Sequence, residues 1–305
     1  MSLVRKLVVA VIVLALAGGA AAWFLTAPSR LAPAALASVA EGDATRGEQV
    51  FWAGGCTSCH AAAGATGEAR LELGGGLEFN TPFGTFVAPN ISTHPGDGIG
   101  DWTFEHFANA MMRGVSPDGS HYYPAFPYAS YTRMQIGDVA DLFAYMKTLP
   151  QVAGEAPSHR LGFPFNIRRS LGLWKLMFFG DEPVVALDNP SEAVARGQYL
   201  VEGPAHCGEC HTPRNLMGGL DKSRWLAGAP NPAGRGTIPN ITPGSPSFAS
   251  WSEADIANFL ETGFTPEFDS AGGEMAEVVK SLAQLPAHDR AAIAAYLKAV
   301  PAIAN

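Results

Sequence analysis

The chain contains the pentapeptide Cys56-Thr57-Ser58-Cys59-His60 and a second one of the same pattern, Cys207-Gly208-Glu209-Cys210-His211. Both read C-x-x-C-H, the attachment signature of haem c. Two thiols at this spacing reach the two vinyl groups of one porphyrin, and the adjacent histidine supplies the proximal nitrogen to the iron. The sequence therefore predicts two covalently bound haem c groups. The predicted attachment residues are Cys56, Cys59, Cys207 and Cys210, and the predicted proximal ligands are His60 and His211.

Other uses of cysteine fit these motifs less well. The motifs take up all four cysteines of the chain, and a disulfide within either motif would close only a very small loop. A zinc ribbon needs its two C-x-x-C knuckles about 15–20 residues apart, whereas about 150 residues separate these two. A thioredoxin-like redox pair needs a surrounding βαβ pattern, which the sequence does not show. Haem attachment is the interpretation that the pattern favours.

The two motifs belong to halves that repeat at an offset of about 150 residues. Pro89-Asn90-Ile91-Ser92 in the first half matches Pro239-Asn240-Ile241-Thr242 in the second, and Trp102 matches Trp251. Because there are only two copies, the repeat indicates duplicated domains rather than a solenoid. The predicted domains span 42–150 and 190–302, with an apolar segment between them at 151–189 and an N-terminal segment at 1–28.

Each half has the periodicity of a small helical domain, with one helix leading into the motif and another ending the half. The helices predicted to lead into the motifs are 44–53 and 191–202. The helices predicted to end the halves are 137–148 and 287–299. No long alternating strand pattern is visible, so the predicted fold is all-α, with two tandem cytochrome c domains. In such a domain the first and last helices cross. Gly47 and Gly197 are the predicted points of close contact, with Tyr145 and Tyr296 opposite.

The N-terminal segment predicts export. Arg5 and Lys6 precede an unbroken apolar run at 7–25, whose 19 residues are close to the roughly 20 that cross a bilayer. The positive flank stays cytoplasmic, so the rest of the chain lies outside. The run exceeds the apolar core of about 7–15 residues in a cleaved signal peptide, which favours an uncleaved anchor; Ala20-Ala21-Ala22 would still suit cleavage. The predicted location is the periplasmic side of the cell membrane, or the soluble periplasm after cleavage.

Charge and motif content narrow the function classes further. The net charge is −8, and an acidic protein repels phosphate, so nucleic acid is excluded as a partner. The sequence has no phosphate-binding glycine loop, nucleophile elbow or zinc-protease motif. We therefore expect an electron-transfer subunit with no catalytic site of its own.

The distal iron ligands differ between the halves. Methionine suits an electron-transfer haem because it raises the reduction potential. Met275, in a glycine-containing loop before the last helix, is the predicted distal ligand of the second haem. The aligned position in the first half falls at 124–126, where there is no methionine. The distal ligand of the first haem stays undecided. The iron has either no protein ligand on this side or one of these residues: Met111, Met112, His121, Met134 and Met177.

Further stretches carry a resemblance to a known family. They are Asn80-Thr81-Pro82-Phe83-Gly84, Gly98-Ile99-Gly100-Asp101-Trp102, Tyr123-Pro124-Ala125-Phe126-Pro127-Tyr128 and Met275-Ala276-Glu277-Val278-Val279. On these, roughly residues 42–301 resemble the cytochrome c subunits of bacterial membrane-associated periplasmic dehydrogenases, the alcohol and aldehyde dehydrogenase cytochrome c subunit family. The resemblance implies electron transfer from a separate catalytic subunit to a quinone or a respiratory cytochrome.

The chain also departs from that family's pattern. Many members carry three haems, whereas this chain has two motifs, and many have their distal methionine where Phe126 stands. Two-haem relatives with this phenylalanine accompany molybdenum-dependent oxidoreductases, which places such an enzyme among the expected partners.

Three functions are therefore compared. The first is a dihaem cytochrome that passes electrons from a periplasmic dehydrogenase to a quinone or another respiratory-chain acceptor. The second is a haem enzyme that uses an open coordination site on the first haem, for peroxide reduction or sulfur-compound oxidation. The third is a cytochrome subunit of a terminal oxidase, which would also be anchored and carry two haems. The sequence favours the first.

Overall fold

The computed structural model describes residues 2–231 and 236–304, which form a mostly helical chain with a few short strands. The α-helices are α1 (Leu3–Leu25), α2 (Pro33–Ala37), α3 (Ala44–Ala53), α4 (Cys56–His60), α5 (Phe104–Arg113), α6 (Tyr128–Tyr131), α7 (Ile136–Met146), α8 (Leu171–Phe178), α9 (Glu192–Glu202), α10 (Gly208–His211), α11 (Pro246–Ala249), α12 (Glu253–Thr262), α13 (Glu274–Leu282) and α14 (Ala287–Ala299). The β-strands are β1 (Glu78–Thr81), β2 (Gly84–Val87), β3 (Arg160–Leu161), β4 (Ala229–Pro230) and β5 (Thr237–Ile238).

Two small antiparallel sheets correct the expectation of an all-α fold. β1 and β2 form a hairpin that pairs Glu78 with Val87 and Thr81 with Gly84, and β3 extends it by pairing Gly84 with Leu161. β4 and β5 form the second sheet. These strands are only two to four residues long. They are too short for alternation of polar and apolar residues to reveal them in the sequence.

In each half, the helix before the motif crosses the last helix at a glycine. A Cβ added at Gly47 of α3 would lie 1.9 Å from the carbonyl oxygen of Asp141 and 2.8 Å from the Cβ of Tyr145, both in α7. At Gly197 of α9, an added Cβ would lie 1.9 Å from a carbonyl oxygen of α14 and 2.8 Å from the Cβ of Tyr296. The helix backbones therefore touch at both crossings, and the predicted close contacts are confirmed.

An arginine–aspartate pair lies beside each crossing. Arg46 Nε is 2.6 Å from an oxygen of Asp141 in the first half, and Arg196 Nε is 2.8 Å from an oxygen of Asp289 in the second. Both aspartates are buried. Each carboxylate has lost its hydrating water, and the ion pair with arginine compensates for that loss. The sequence repeat is thus also a repeat of helix packing.

Each half has its own apolar core, and α3 connects the two. Phe51, at the end of α3, is fully buried in the core of the first half. Its neighbour Trp52 packs against both cores, and Ala53 belongs to the core of the second half. The halves are therefore packed together along α3 rather than joined only by a linker.

The middle segment, residues 151–189, contacts both halves. The buried Trp174 of α8 lies against Tyr128 of the first half, with ring centroids 6.3 Å apart. Its Nε1 donates a hydrogen bond to the carbonyl oxygen of Met217 in the second half, at 3.1 Å. Lys175 of the same helix donates to the carbonyl oxygen of Gly114, at 2.9 Å. The segment is thus an integral part of the packing of both halves.

The helix α1 projects from the rest of the chain. It has 23 residues, none of them buried, with a mean hydropathy of 2.5 in its most apolar window. At about 1.5 Å per residue it is long enough for a hydrocarbon layer of about 30 Å. Among residues 2–231 and 236–304, α1 is the one helix that is long and apolar enough to span a membrane. Its length and composition fit the predicted anchor or signal segment.

Candidate functional site

The first C-x-x-C-H motif forms the one-turn helix α4, which begins after Gly55. Gly55 has a φ of 57°, a left-handed conformation that favours glycine. The thiols of Cys56 and Cys59 are not joined in a disulfide. Loss of hydration raises the pKa of the Cys56 thiol to about 12. The thiol is therefore protonated at neutral pH, unlike the thiolates of metal sites and redox-active cysteines.

The second motif, residues 207–211, overlaps the short helix α10 and has the same features. Cys207 and Cys210 are free, and burial raises the pKa of the Cys207 thiol to about 12. A Cβ added at Gly208 would lie 2.0 Å from the ring of Trp225. The ring of Trp225, which is buried in the core of the second half, therefore packs against the backbone of this motif, and only glycine fits at that position.

Each motif histidine is oriented by one backbone carbonyl. His60 Nδ1 lies 2.8 Å from the carbonyl oxygen of Pro89, and His211 Nδ1 lies 2.8 Å from that of Pro239. Because a carbonyl oxygen only accepts, Nδ1 carries the proton and donates, which leaves the Nε2 lone pair free for a metal. Burial lowers the pKa of both histidines, and this favours the neutral form that binds iron. Free thiols and an available Nε2 fit haem c at both motifs.

The repeated Pro-Asn-Ile stretches hold these carbonyls in place. Asn90 accepts a hydrogen bond from the amide of Ser92 at 2.9 Å and donates to the carbonyl oxygen of Val152 at 2.7 Å. In the second half, Asn240 accepts from the amide of Thr242 at 2.9 Å and donates to the carbonyl oxygen of Ile303 at 2.7 Å. The repeat therefore encodes a buried polar support for each histidine, a role that its sequence alone did not reveal.

Met275 lies in a helix rather than in the loop that the sequence predicted. It is the second residue of α13, which begins after Gly273, where φ is 55°. The side chain is half-buried and packs against the core of the second half. The sequence pointed to a loop because Gly272 and Gly273 precede it. Its role as distal ligand of the second haem stays a prediction.

The first half offers several candidates for a distal ligand, and the structure places them differently. His121 is buried, and its Nε2 lies 2.9 Å from the carbonyl oxygen of Thr26, to which it donates. This nitrogen is thus committed to the end of α1. The methionines on α5 and before α7, namely Met111, Met112 and Met134, are buried in the core of the first half.

Met177 and Phe126 are two further positions that bear on the distal side of the first haem. Met177 is exposed on the outer side of α8. Phe126 lies among tyrosines, with its ring centroid 5.8 Å from those of Tyr122 and Tyr131. An aromatic cluster thus stands where the resemblance expects a methionine ligand, and the distal position of the first haem stays open.

The two motifs lie close together across the contact between the halves. Arg70 Nη2 donates to Thr57 Oγ1 of the first motif at 2.9 Å and to Ser281 Oγ of α13 at 3.0 Å. His206, next to the second motif, has its Nε2 3.3 Å from the carbonyl oxygen of Gly54. The helix that carries Met275 therefore packs directly on the first motif.

Charge interactions indicate the same proximity. Loss of hydration raises the pKa of Cys59 to about 11, and the nearby charge of Cys210 adds to the effect. Ser130 Oγ of the first half donates to Glu209, inside the second motif, at 2.9 Å. These contacts join residues far apart in the chain and have no local pattern, so they could not be predicted from the sequence.

This arrangement defines the class of protein. Two short helices that each present paired free thiols and an oriented histidine, within crossed-helix halves, are the features of a c-type cytochrome. The family model described as Cytochrome c matches residues 44–150.

Relatives agree with this class. A diheme cytochrome c-type protein of Cereibacter sphaeroides is 56% identical over 299 residues, which is 98% of this chain and 99% of the relative. The fructose dehydrogenase cytochrome subunit of Gluconobacter japonicus is 40% identical over 86% of this chain, and a nicotinate dehydrogenase subunit of Pseudomonas putida is 39% identical over 84%. The chain belongs to the family of dihaem c-type cytochromes that includes cytochrome subunits of bacterial dehydrogenases. The predicted family and the predicted haem c cofactor are confirmed.

Several of these relatives are much longer than this chain. It spans 53% of the fructose dehydrogenase cytochrome subunit and 21% of the nicotinate dehydrogenase subunit. Cytochrome c subunits of alcohol dehydrogenase (quinone) and gluconate 2-dehydrogenase are also matched, at 35% identity. The fructose, alcohol and gluconate dehydrogenase relatives are all named as cytochrome subunits.

Proposed function

We propose that this chain carries two haem c groups and transfers electrons from a periplasmic dehydrogenase to a respiratory-chain acceptor. The observation that carries the proposal is the pair of equivalent motifs, each with free thiols and a histidine aligned by a proline carbonyl, placed side by side between the halves. The dihaem name of the relative that matches nearly the whole chain supports the number of haems. In this proposal the domains are 42–150 and 190–302.

The residues of the chain act by binding and orientation. Cys56, Cys59, Cys207 and Cys210 would hold the two porphyrins through thioether bonds. His60 and His211 would bind the irons through Nε2, and Met275 would be the second protein ligand of the second iron. Haem c supplies a one-electron iron couple when bound. The proline carbonyls fix the tautomer of each histidine and raise its basicity. No bond chemistry by the protein's own side chains is required.

The proposed partner is a separate dehydrogenase subunit, since the matched relatives are named as cytochrome subunits of dehydrogenases. The similarity to a nicotinate dehydrogenase subunit supports a dehydrogenase partner. The molybdenum-dependent enzyme that the family resemblance implied is one candidate for it.

The proposed acceptor is a quinone or another cytochrome. A cavity of about 250 Å³ lies between α8 and the second motif, with Trp174 and Phe178 on one wall and Glu209 and Arg214 on the other. Aromatic walls with a few polar groups suit a small amphipathic molecule such as a quinone head group. Trp174→Ala should slow reduction of a short-chain ubiquinone by the pre-reduced protein, while reduction of a soluble cytochrome stays unchanged. An equal fall in the rate of reduction of both acceptors would argue against a quinone in this cavity.

The proposed location is the periplasmic side of the cell membrane, with α1 as an uncleaved anchor. The exposed apolar surface and the length of α1 support this. N-terminal sequencing of the mature protein distinguishes an anchor from a cleaved signal, because cleavage after Ala22 would remove most of the helix.

Carbon monoxide binding to the fully reduced protein, counted per haem, tests the electron-transfer role. We expect no binding at the second haem, because Met275 would occupy its distal side. Binding at one haem in two would favour the second candidate, a haem enzyme with an open site in the first half, where Phe126 replaces the expected ligand. Binding at neither would favour electron transfer alone. Purification together with an oxidase core would instead favour a terminal-oxidase subunit.

A further inference from the structure

Most of the exposed large apolar side chains outside α1 gather in one region. Among the described residues there are ten such side chains, and eight come from three segments: a loop, α8 and a turn of the second half. We call these eight the apolar surface; they are Phe163, Phe165, Ile167, Leu173, Leu176, Met177, Leu216 and Met217. Soluble proteins rarely expose a contiguous apolar patch of this kind, so the apolar surface indicates a binding partner.

Direct contacts join the three segments into one surface. Trp174 Nε1 of α8 donates to the carbonyl oxygen of Met217 at 3.1 Å, which fixes the turn beside α8. A Cβ added at Gly218, next in the turn, would lie 3.3 Å from the ring of Phe83. That ring packs edge-on against Phe165 of the loop, with centroids 5.0 Å apart. The surface therefore runs from the loop past the turn to α8.

The apolar surface begins where α1 ends. A Cβ added at Gly172, in the first turn of α8, would lie 2.3 Å from the carbonyl oxygen of Thr26. Arg169 Nε donates to Thr26 Oγ1 at 3.2 Å, and its guanidinium lies 4.1 Å from the ring centroid of Trp23. His121 Nε2 donates to the carbonyl oxygen of Thr26 at 2.9 Å. Contacts from three residues, Gly172, Arg169 and His121, thus make the end of α1 a fixed joint rather than a flexible tether.

We propose that the apolar surface lies in the membrane interface beside α1 and contacts lipid. The inference rests on the proposed anchor, because a fixed joint keeps Leu173 next to the point at which α1 would leave the bilayer. Arg168 and Arg169 stand at this point, where basic side chains meet lipid head groups. Phe163 and Trp23 supply aromatic rings of the kind enriched at membrane interfaces. Both α1 and the apolar surface then hold the chain on the membrane.

This orientation has a consequence for the acceptor. α8 forms part of the apolar surface and also lines the cavity beside the second motif through Trp174 and Phe178. Met177 of α8 belongs to both the surface and the cavity lining. The cavity then lies at the membrane, within reach of a membrane-soluble electron acceptor. A soluble acceptor would approach from another side.

Site-specific photo-crosslinking tests the surface in the full-length holoprotein. Benzoylphenylalanine replaces Phe163, which is 81% exposed in the apolar surface, or Phe268, which is 91% exposed in the second half and outside it. A third variant carries the probe at Val13 in α1. Each is reconstituted into nanodiscs of phosphatidylcholine and phosphatidylglycerol, irradiated, and analysed by mass spectrometry for lipid adducts. The phenylalanine positions are matched in chemistry and exposure, so they differ only in location.

We expect lipid adducts at Val13 and Phe163, and severalfold fewer at Phe268. Adducts at Val13 with none at Phe163 would overturn the lipid contact while leaving the anchor intact. Equal yields at Phe163 and Phe268 would also overturn it, since the yield would then report exposure alone. Absence of adducts at Val13 would overturn the anchor and with it this inference. In native membranes, a Phe163 cross-link to a protein in place of lipid would assign the surface to a protein partner instead.

Discussion

Replacement of Gly47 by alanine is predicted to force α3 away from α7. The added Cβ would lie 1.9 Å from the carbonyl oxygen of Asp141, and an ordinary contact is about 3.4 Å, so the helices would separate by about 1.5 Å. Overpacking of this kind costs about 1–3 kcal/mol, and more against backbone. Alanine regains about 1 kcal/mol of helix propensity. We expect a net loss of about 2 kcal/mol in the free energy of unfolding.

The assay is guanidinium unfolding of the holoprotein, followed by far-ultraviolet circular dichroism and by haem absorbance. The matched control is Gly137→Ala in α7, because Gly137 is exposed and an added Cβ meets nothing within 4 Å. We expect this control to be neutral or stabilised by up to about 1 kcal/mol. Gly197→Ala should behave like Gly47→Ala if the halves share one packing. A Gly47→Ala protein as stable as the control would refute a tight crossing.

Three further variants test the site and the joint. Met275→Ala should lower the potential of the second haem or make it high-spin, whereas the exposed Met217→Ala should do neither; an optical redox titration in which the two variants agree would exclude Met275 as ligand. Cys207→Ala should leave the second haem weakly retained in acidic acetone, and full retention would contradict its attachment there. Burial lowers the pKa of His121, so below about pH 6.5 the unfolded chain takes up a proton that the folded chain does not, and stability should fall as the pH is lowered. His121→Gln, which keeps a donor for Thr26, should reduce that slope in unfolding measured between about pH 7.5 and 5; an unchanged slope would argue against this cause.

The sequence by itself determined the chemistry of the chain. C-x-x-C-H is a local pattern, since one porphyrin must meet two thiols and one imidazole within five residues. Helix periodicity is also local, and the internal repeat is visible when the two halves of the sequence are aligned, so the paired crossings at Gly47 and Gly197 were predictable. The apolar run of α1 was equally visible, because membrane spanning depends on length and composition alone.

Only the tertiary structure decided how these parts meet. Arg70 joins the first motif to Ser281 of α13, and the carbonyl of Pro89 aligns His60, through contacts between residues distant in the chain. The small sheets form from strands too short to leave a pattern, and Met275 lies in a helix whose start follows from the backbone at Gly273. The apolar surface and the joint at Thr26 likewise combine separate segments. Such contacts depend on how helices pack in three dimensions, which periodicity along one helix does not specify.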